Sequence, residues 1–290
     1  MKRIATVQDI SCVGKCSLTV ALPIISAMGV EAAVLPTAVL STHTAFKGFT
    51  FRDLTDDIAP ICEHWKKEGI AFDAIYTGYL GSFKQLELMS ELFDDFRGDH
   101  TLVFVDPCMA DNGKLYPGFT QEFAFAMAKL AGKADVIVPN LTEASFMLGI
   151  PYRAEGYDEQ YIRSILVKLA ALGAKKTIVK GIVFGEDQET IKGAKGRIGI
   201  MSYDAEAQRF SSYFHEKLPI SFHGTGDVFA SVCVGALMRG LTLDDSIKLA
   251  ADFVVGSIRS TVSHEGYNWY GVDFETAFPF LLKRLEESGC

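Results

Sequence analysis

The chain has 290 residues, enough for one large α/β domain or two small ones. Hydrophobic residues make up 49% of it, ample for a sizeable core, yet no apolar run approaches the ~20 residues that span a bilayer. With 28 Lys and Arg against 36 Asp and Glu, the formal charge of −8 argues against nucleic acid as a partner and is ordinary for a soluble enzyme.

Residues 1–8 turn polar too early for a signal peptide and read as a first strand. Short apolar runs then alternate with helical patterns. Strands are expected at 4–8, 33–35, 74–77, 102–105, 136–138 and 177–179, and helices at 17–28, 54–67, 85–96, 121–129, 159–172, 227–239 and 244–262. Strands separated by helices, several of them nearly all apolar, predict a parallel sheet covered on both faces. Between Thr190 and Phe214 the pattern changes, and 197–203 with 208–214 reads as an antiparallel pair at a sheet edge. Without repeats or a long Pro/Ser-rich linker, residues 1–290 are expected to form one domain.

The six cysteines, Cys12, Cys16, Cys62, Cys108, Cys233 and Cys290, form no Cys-x-x-Cys pair and no disulfide framework, and read as reduced thiols of a cytoplasmic protein. Cys12 and Cys16 could meet on a helix turn, but two thiols make no zinc site. Gly14-Lys15-Cys16-Ser17 fails as a P-loop, because position 9 is Asp and Cys16 stands where Ser or Thr belongs. Lys15 reads instead as a solvated side chain at a helix start.

The most informative stretch is 222–231, in which Gly224 and Gly226 precede an apolar helix. Glycines there permit backbone conformations and ligand approaches closed to other residues. A helix start aims unpaired N–H groups and the positive dipole end at one point, which makes an anion site. Asp227 would repel a bound phosphate unless it is a general base taking a proton from an attacking hydroxyl; the alternative is a helix cap. Strand ends at Asp9, Thr77-Gly78-Tyr79, Asp106-Pro107, Pro139-Asn140 and Lys180-Gly181 should line one crevice beyond the sheet. Asp106 and Glu143 offer the hard oxygens Mg²⁺ prefers, although Glu143 equally suits a first-turn acid.

Gly224-Thr225-Gly226-Asp227 resembles the signature of the ribokinase-like small-molecule kinases. Four further segments are similar to pyridoxal kinases in order and spacing: 41–44 (Ser-Thr-His-Thr), 77–82 (Thr-Gly-Tyr-Leu-Gly-Ser), 106–109 (Asp-Pro-Cys-Met) and 139–143 (Pro-Asn-Leu-Thr-Glu). The likeness runs from about residue 4 to 265. It implies a three-layer α/β sandwich with a central, mostly parallel sheet and helices on both faces. It also implies ATP and Mg²⁺, usually a homodimer, and leaves a monovalent cation such as K⁺ open. By the same resemblance Asp227 is the base, and Gly224, Thr225 and Gly226 form the anion hole. Asp106 and Glu143 surround Mg²⁺ and its waters. Asn140, Lys180, Gly181 and Thr225 fall on the ATP side; Asp9, His43, Thr44 and Tyr79 join Asp227 on the substrate side. Without the family, His43 reads as an ordinary turn histidine. The chain departs from the pattern at Asp9, where Ser is usual, and at Thr42, where Asn is usual before His43. Lys180 holds a position that varies between Thr and Lys.

The expected activity is ATP-dependent phosphorylation of the hydroxymethyl group of a vitamin B6 vitamer. Hydroxymethylpyrimidine phosphorylation is the nearest alternative, and a vitamer-binding regulator without catalysis is the alternative of another class. A sugar kinase is disfavoured, since the N-terminal third carries no obvious lid insertion.

Overall fold

The computed structural model describes residues 1–185 and 196–288. The start of the pattern change expected from Thr190, and Cys290, lie outside the described residues. The chain divides into two compact units, one made of Met1–Gly78, Gly98–Thr101 and the segment from Pro219 onward, the other of Tyr79–Arg97 and Leu102–Leu218.

In the first unit, β1 (Arg3–Ser11), α1 (Leu18–Ala27), β2 (Glu31–Leu40), β3 (Phe51–Asp53), α2 (Thr55–Lys67) and β4 (Ala74–Thr77) follow in sequence, and α7 (Thr225–Met238), α8 (Leu243–Val262) and α9 (Phe278–Glu287) close it. β1 lies between β4 and β2 with both pairings parallel, while β3 runs antiparallel on β2. Ile4 to Gln8 are wholly buried, as a strand covered on both faces requires. β1 does not end at Asp9 as expected. It continues to Ser11, with Asp9 at a register shift where Thr37 and Ala38 of β2 oppose a single residue. Such irregularities re-aim side chains. Every residue of α7 from Asp227 to Ala236 is buried, so the helix is apolar all round because it has no solvent face. Gly235 lets α1 approach, since a Cβ there would crowd the Met28 sulfur.

In the second unit, α3 (Phe83–Phe96), β5 (Leu102–Val105), the hairpin β6 (Ala110–Asp111) and β7 (Lys114–Leu115), α4 (Gln121–Ala131), β8 (Val136–Ile137), α5 (Leu141–Leu148), α6 (Glu159–Ala170), β9 (Lys176–Val183), β10 (Arg197–Asp204) and β11 (Arg209–Glu216) follow. β5, β8 and β9 are parallel; β10 and β11 add antiparallel at the edge, as expected of 197–203 and 208–214. β9 also continues past its expected end at Lys180-Gly181. Gly181, at φ 78°, is the extra residue of a bulge, because Lys180 and Ile182 pair with adjacent residues of β10. Among the described residues no helix is long and apolar enough to cross a membrane.

Candidate active site

The first unit carries the glycine-rich helix start. α7 begins at Thr225, two residues earlier than periodicity indicates, and Gly224 is its N-cap in the left-handed region at φ 78°. A Cβ on Gly224 would overlap the Lys15 carbonyl oxygen, so this position is closed to other residues on two counts. Gly226 lies inside the first helical turn and outside the positive-φ set, so the freedom expected of both glycines is required only of Gly224. The first intrahelical bond runs from Val228 N–H to Gly224 O at 2.9 Å. The amides of Thr225, Gly226 and Asp227 therefore precede the ladder, which is the geometry of an anion cradle. Asp227 is buried in the first turn and is not the N-cap residue.

Asp9 is buried beside this helix start. Ser11 Oγ donates to its carboxylate at 3.1 Å, and Ser17 adds a second side-chain hydrogen bond. Burial still holds the Asp9 carboxyl above its ordinary value. Cys16 senses both acids: burial, Asp227 and Asp9 push its thiol up to about 12, so it stays protonated and inert. Residues 12–16 form bends rather than a helix turn, which corrects the expected placing of Cys12 and Cys16.

Lys15 is not a solvated side chain. Its ammonium donates to Asp273 Oδ1 at 3.1 Å and Glu275 Oε2 at 2.6 Å, with the side chain only 19% exposed. Nor is His43 an ordinary turn residue. Its Nδ1 accepts the Ala45 N–H at 3.2 Å, which leaves the proton on Nε2 to be donated to Tyr270 O at 2.9 Å. Burial lowers its pKa, so the ring is neutral at pH 7. Phe46, His223 and Trp269 surround it, while Thr44 is exposed.

The second unit gathers the ends of β5 and β8 and the bulge of β9. Lys180 Nζ lies 3.0 Å from both oxygens of Asp106, with side-chain exposures of 14% and 3%. Burial opposes the Lys180 charge, but Asp106 and Glu143 outweigh it and raise its pKa. Glu143 forms a capping box on α5: its Oε2 accepts the Asn140 N–H at 2.8 Å while Asn140 Oδ1 accepts the Glu143 N–H at 2.8 Å. Its Oε1 accepts the Met109 N–H at 3.2 Å. Burial and the neighbouring Asp106 push the Glu143 carboxyl up to about 8. Asn140 Nδ2 donates to Ala110 O at 2.8 Å, so its side-chain amide is engaged within the fold at both ends. Tyr79 is half-buried against Phe119, with ring centroids 5.6 Å apart.

Among the described residues no group of three or more His, Cys, Asp or Glu side chains could hold a metal. Asp106 is ion-paired and both Glu143 oxygens accept amides. These acids fit an Mg²⁺ bound mainly through phosphate oxygens and water, and they do not form a protein cage. Sequence reasoning missed Ser11, Ser17, Tyr270, Asp273 and Glu275. It read Glu143 as suited to a first helical turn without giving α5 a range, although Asn140-x-x-Glu143 followed by Gly149 marks both ends of that helix.

The chain matches the phosphomethylpyrimidine kinase family over residues 22–270. It belongs to that family. The family's solved structures include a protein of Bacteroides thetaiotaomicron described as a phosphomethylpyrimidine kinase, in a crystal form with pyridoxal. It is 38% identical, with a TM-score of 0.89 over 97% of this chain and 95% of the other. Pyridoxal kinase from Lactobacillus plantarum is 30% identical, with a TM-score of 0.87 over 99% of both chains. A pyridoxal kinase of Rubrobacter xylanophilus is 24% identical over 81% of this chain and 79% of its own. The chain therefore has the expected ribokinase-like α/β fold, with a mostly parallel sheet and flanking helices, and is a phosphotransferase of the kinase type.

Proposed function

We propose that this kinase transfers the γ-phosphoryl group of ATP to the 5′-hydroxymethyl group of a vitamin B6 vitamer: pyridoxal, pyridoxine or pyridoxamine. The observation that carries the reading is the left-handed Gly224 opening α7, with buried Asp227 in its first turn, in a chain 38% identical to a protein crystallised with pyridoxal. Asp227 takes the hydroxyl proton as the oxygen attacks in line, and the amides at the start of α7 receive charge on the transferring group. Gly224, Thr225 and Gly226 supply that cradle. Asp9, His43, Thr44 and Tyr79 are assigned to the vitamer, and Asn140, Lys180, Gly181 and Thr225 to the nucleotide. Lys180 serves ATP as a positive charge kept on by Asp106. Asp106 and Glu143 would hold Mg²⁺, which would supply charge neutralisation on the phosphate oxygens when bound. A homodimer, implied by the resemblance, is checked by solution mass.

The test is a one-pot competition among pyridoxal, pyridoxine, pyridoxamine and hydroxymethylpyrimidine with ATP. Preferential phosphorylation of a pyridine supports the reading. Preference for the pyrimidine replaces it with the alternative substrate, and ATP-independent binding without turnover points to a regulator.

A further inference from the structure

The loop that failed as a P-loop adjoins four groups assigned to the first unit's site: Asp9, His43, Gly224 and Asp227. The Gly14 backbone, at φ 131°, lies so close to His43 that a Cβ there would overlap the ring. The Lys15 carbonyl fills the space a Cβ on Gly224 would need. Cys16 feels both Asp9 and Asp227, and Ser17, at φ 50°, hydrogen-bonds Asp9. Thr19 Oγ1 ties the loop internally, donating to Gly14 O at 3.0 Å and Cys16 O at 2.8 Å. On its other side Lys15 reaches 258 and 260 residues along the chain to Asp273 and Glu275. Its ammonium also lies 5.5 Å from the Phe274 ring centroid, and a Cβ on Gly271 would overlap its stem.

We propose that Lys15 is a positioning residue: its paired ammonium fastens the Gly14–Ser17 loop to the Gly271–Glu275 segment and thereby fixes the left-handed Gly224 that opens α7. The proposal rests on the reading of that helix start as the phosphoryl cradle. Glu275 is half exposed, and ion pairs of such exposure contribute little to global stability. The consequence of the clamp is therefore local. A cradle displaced by a fraction of an ångström loses transition-state contacts before it loses ground-state binding.

The experiment compares Lys15→Met, which keeps the stem and removes the charge, with Lys15→Arg, which keeps the charge. Lys15→Met should lower kcat with the best vitamer at least tenfold while KM for ATP stays within twofold. Lys15→Arg should retain at least half of wild-type kcat. Amide hydrogen exchange of the substrate-free protein should quicken at residues 228–231, the first amides bonded into the α7 ladder, in Lys15→Met and not in Lys15→Arg. Unchanged exchange at 228–231 in folded Lys15→Met overturns the proposal whatever the substrate is. So does wild-type kcat in that variant, or equal damage from Arg and Met. A wild-type protein inactive on every vitamer sinks the vitamer reading instead, and the exchange comparison still decides the role of Lys15.

Discussion

Lys180 and Asp106 form a buried ion pair, the ammonium 3.0 Å from each carboxylate oxygen. Removing one partner leaves an uncompensated charge in a site where the acid is 3% exposed. Loss of a partner from such a pair costs about 3–5 kcal/mol, far more than the pair itself need contribute. Lys180→Met should therefore lower the urea midpoint strongly, and the double variant Lys180→Met with Asp106→Leu should recover most of the loss. A single variant as stable as wild type would mean that the acid is already neutral in the folded chain.

Glu143 gives the substrate-free protein a pH dependence. Its carboxyl titrates near 8 in the folded chain against an ordinary 4.5. The folded state therefore holds an extra proton between those values. This contribution is fully present below about 4.5 and is lost as pH rises through about 8. Urea unfolding at pH 5.5, 7 and 8.5 should show stability falling with pH. Glu143→Gln should be less stable at pH 5.5, because one of the two amide donors loses its acceptor, but should show a flatter slope. Parallel profiles for the two proteins would remove Glu143 as the cause.

At the start of α7, chemistry and conformation are separable. Asp227→Asn should lower kcat by roughly 10²–10⁴, the scale of general-base catalysis, with KM for ATP little changed. A variant retaining more than about a tenth of wild-type kcat, with chemistry rate-limiting, would overturn the assignment. The conformational test belongs at Gly224 rather than Gly226, because Gly224 alone of the two has positive φ and faces the Lys15 carbonyl. Gly224→Ala should abolish turnover while circular dichroism stays close to wild type, since α7 is buried over its following turns.

Local pattern made much of this molecule legible. Strands at 74–77 and 102–105 occur at the expected residues, because short, largely apolar runs bounded by turn residues leave little choice of boundary. The glycine-rich helix start was readable for the same reason: its chemistry lies in consecutive residues. Two-residue β6 and β7 carry too few side chains for periodicity, although Asn112-Gly113, both at positive φ, is a hairpin signal. Strand ends misled at Asp9 and Lys180, where polar residues mark bulges within continuing strands. The Lys15 clamp was illegible, since its partners lie more than 250 residues away and no local pattern encodes their approach.

Asp9 is the departure with the clearest consequence for substrate choice. Asp9 does not pair with Lys15, whose ammonium belongs to Asp273 and Glu275. Nor does it cap a helix: α1 starts at Leu18 behind Ser17, with no side-chain cap. What remains is a buried carboxylate supported by Ser11 and Ser17, held above its ordinary pKa by burial and beside the first turn that carries Asp227. A cationic ligand group would favour its ionised form. Pyridoxamine carries an ammonium that pyridoxal and pyridoxine lack, and a charge-assisted hydrogen bond contributes about 1.5–3 kcal/mol, roughly ten- to hundredfold in kcat/KM. Asp9→Ser should therefore lose kcat/KM selectively with pyridoxamine when all three vitamers are assayed. Equal losses would assign Asp9 to the ring nitrogen or to the Ser11–Ser17 network, and no loss would place it outside the vitamer site.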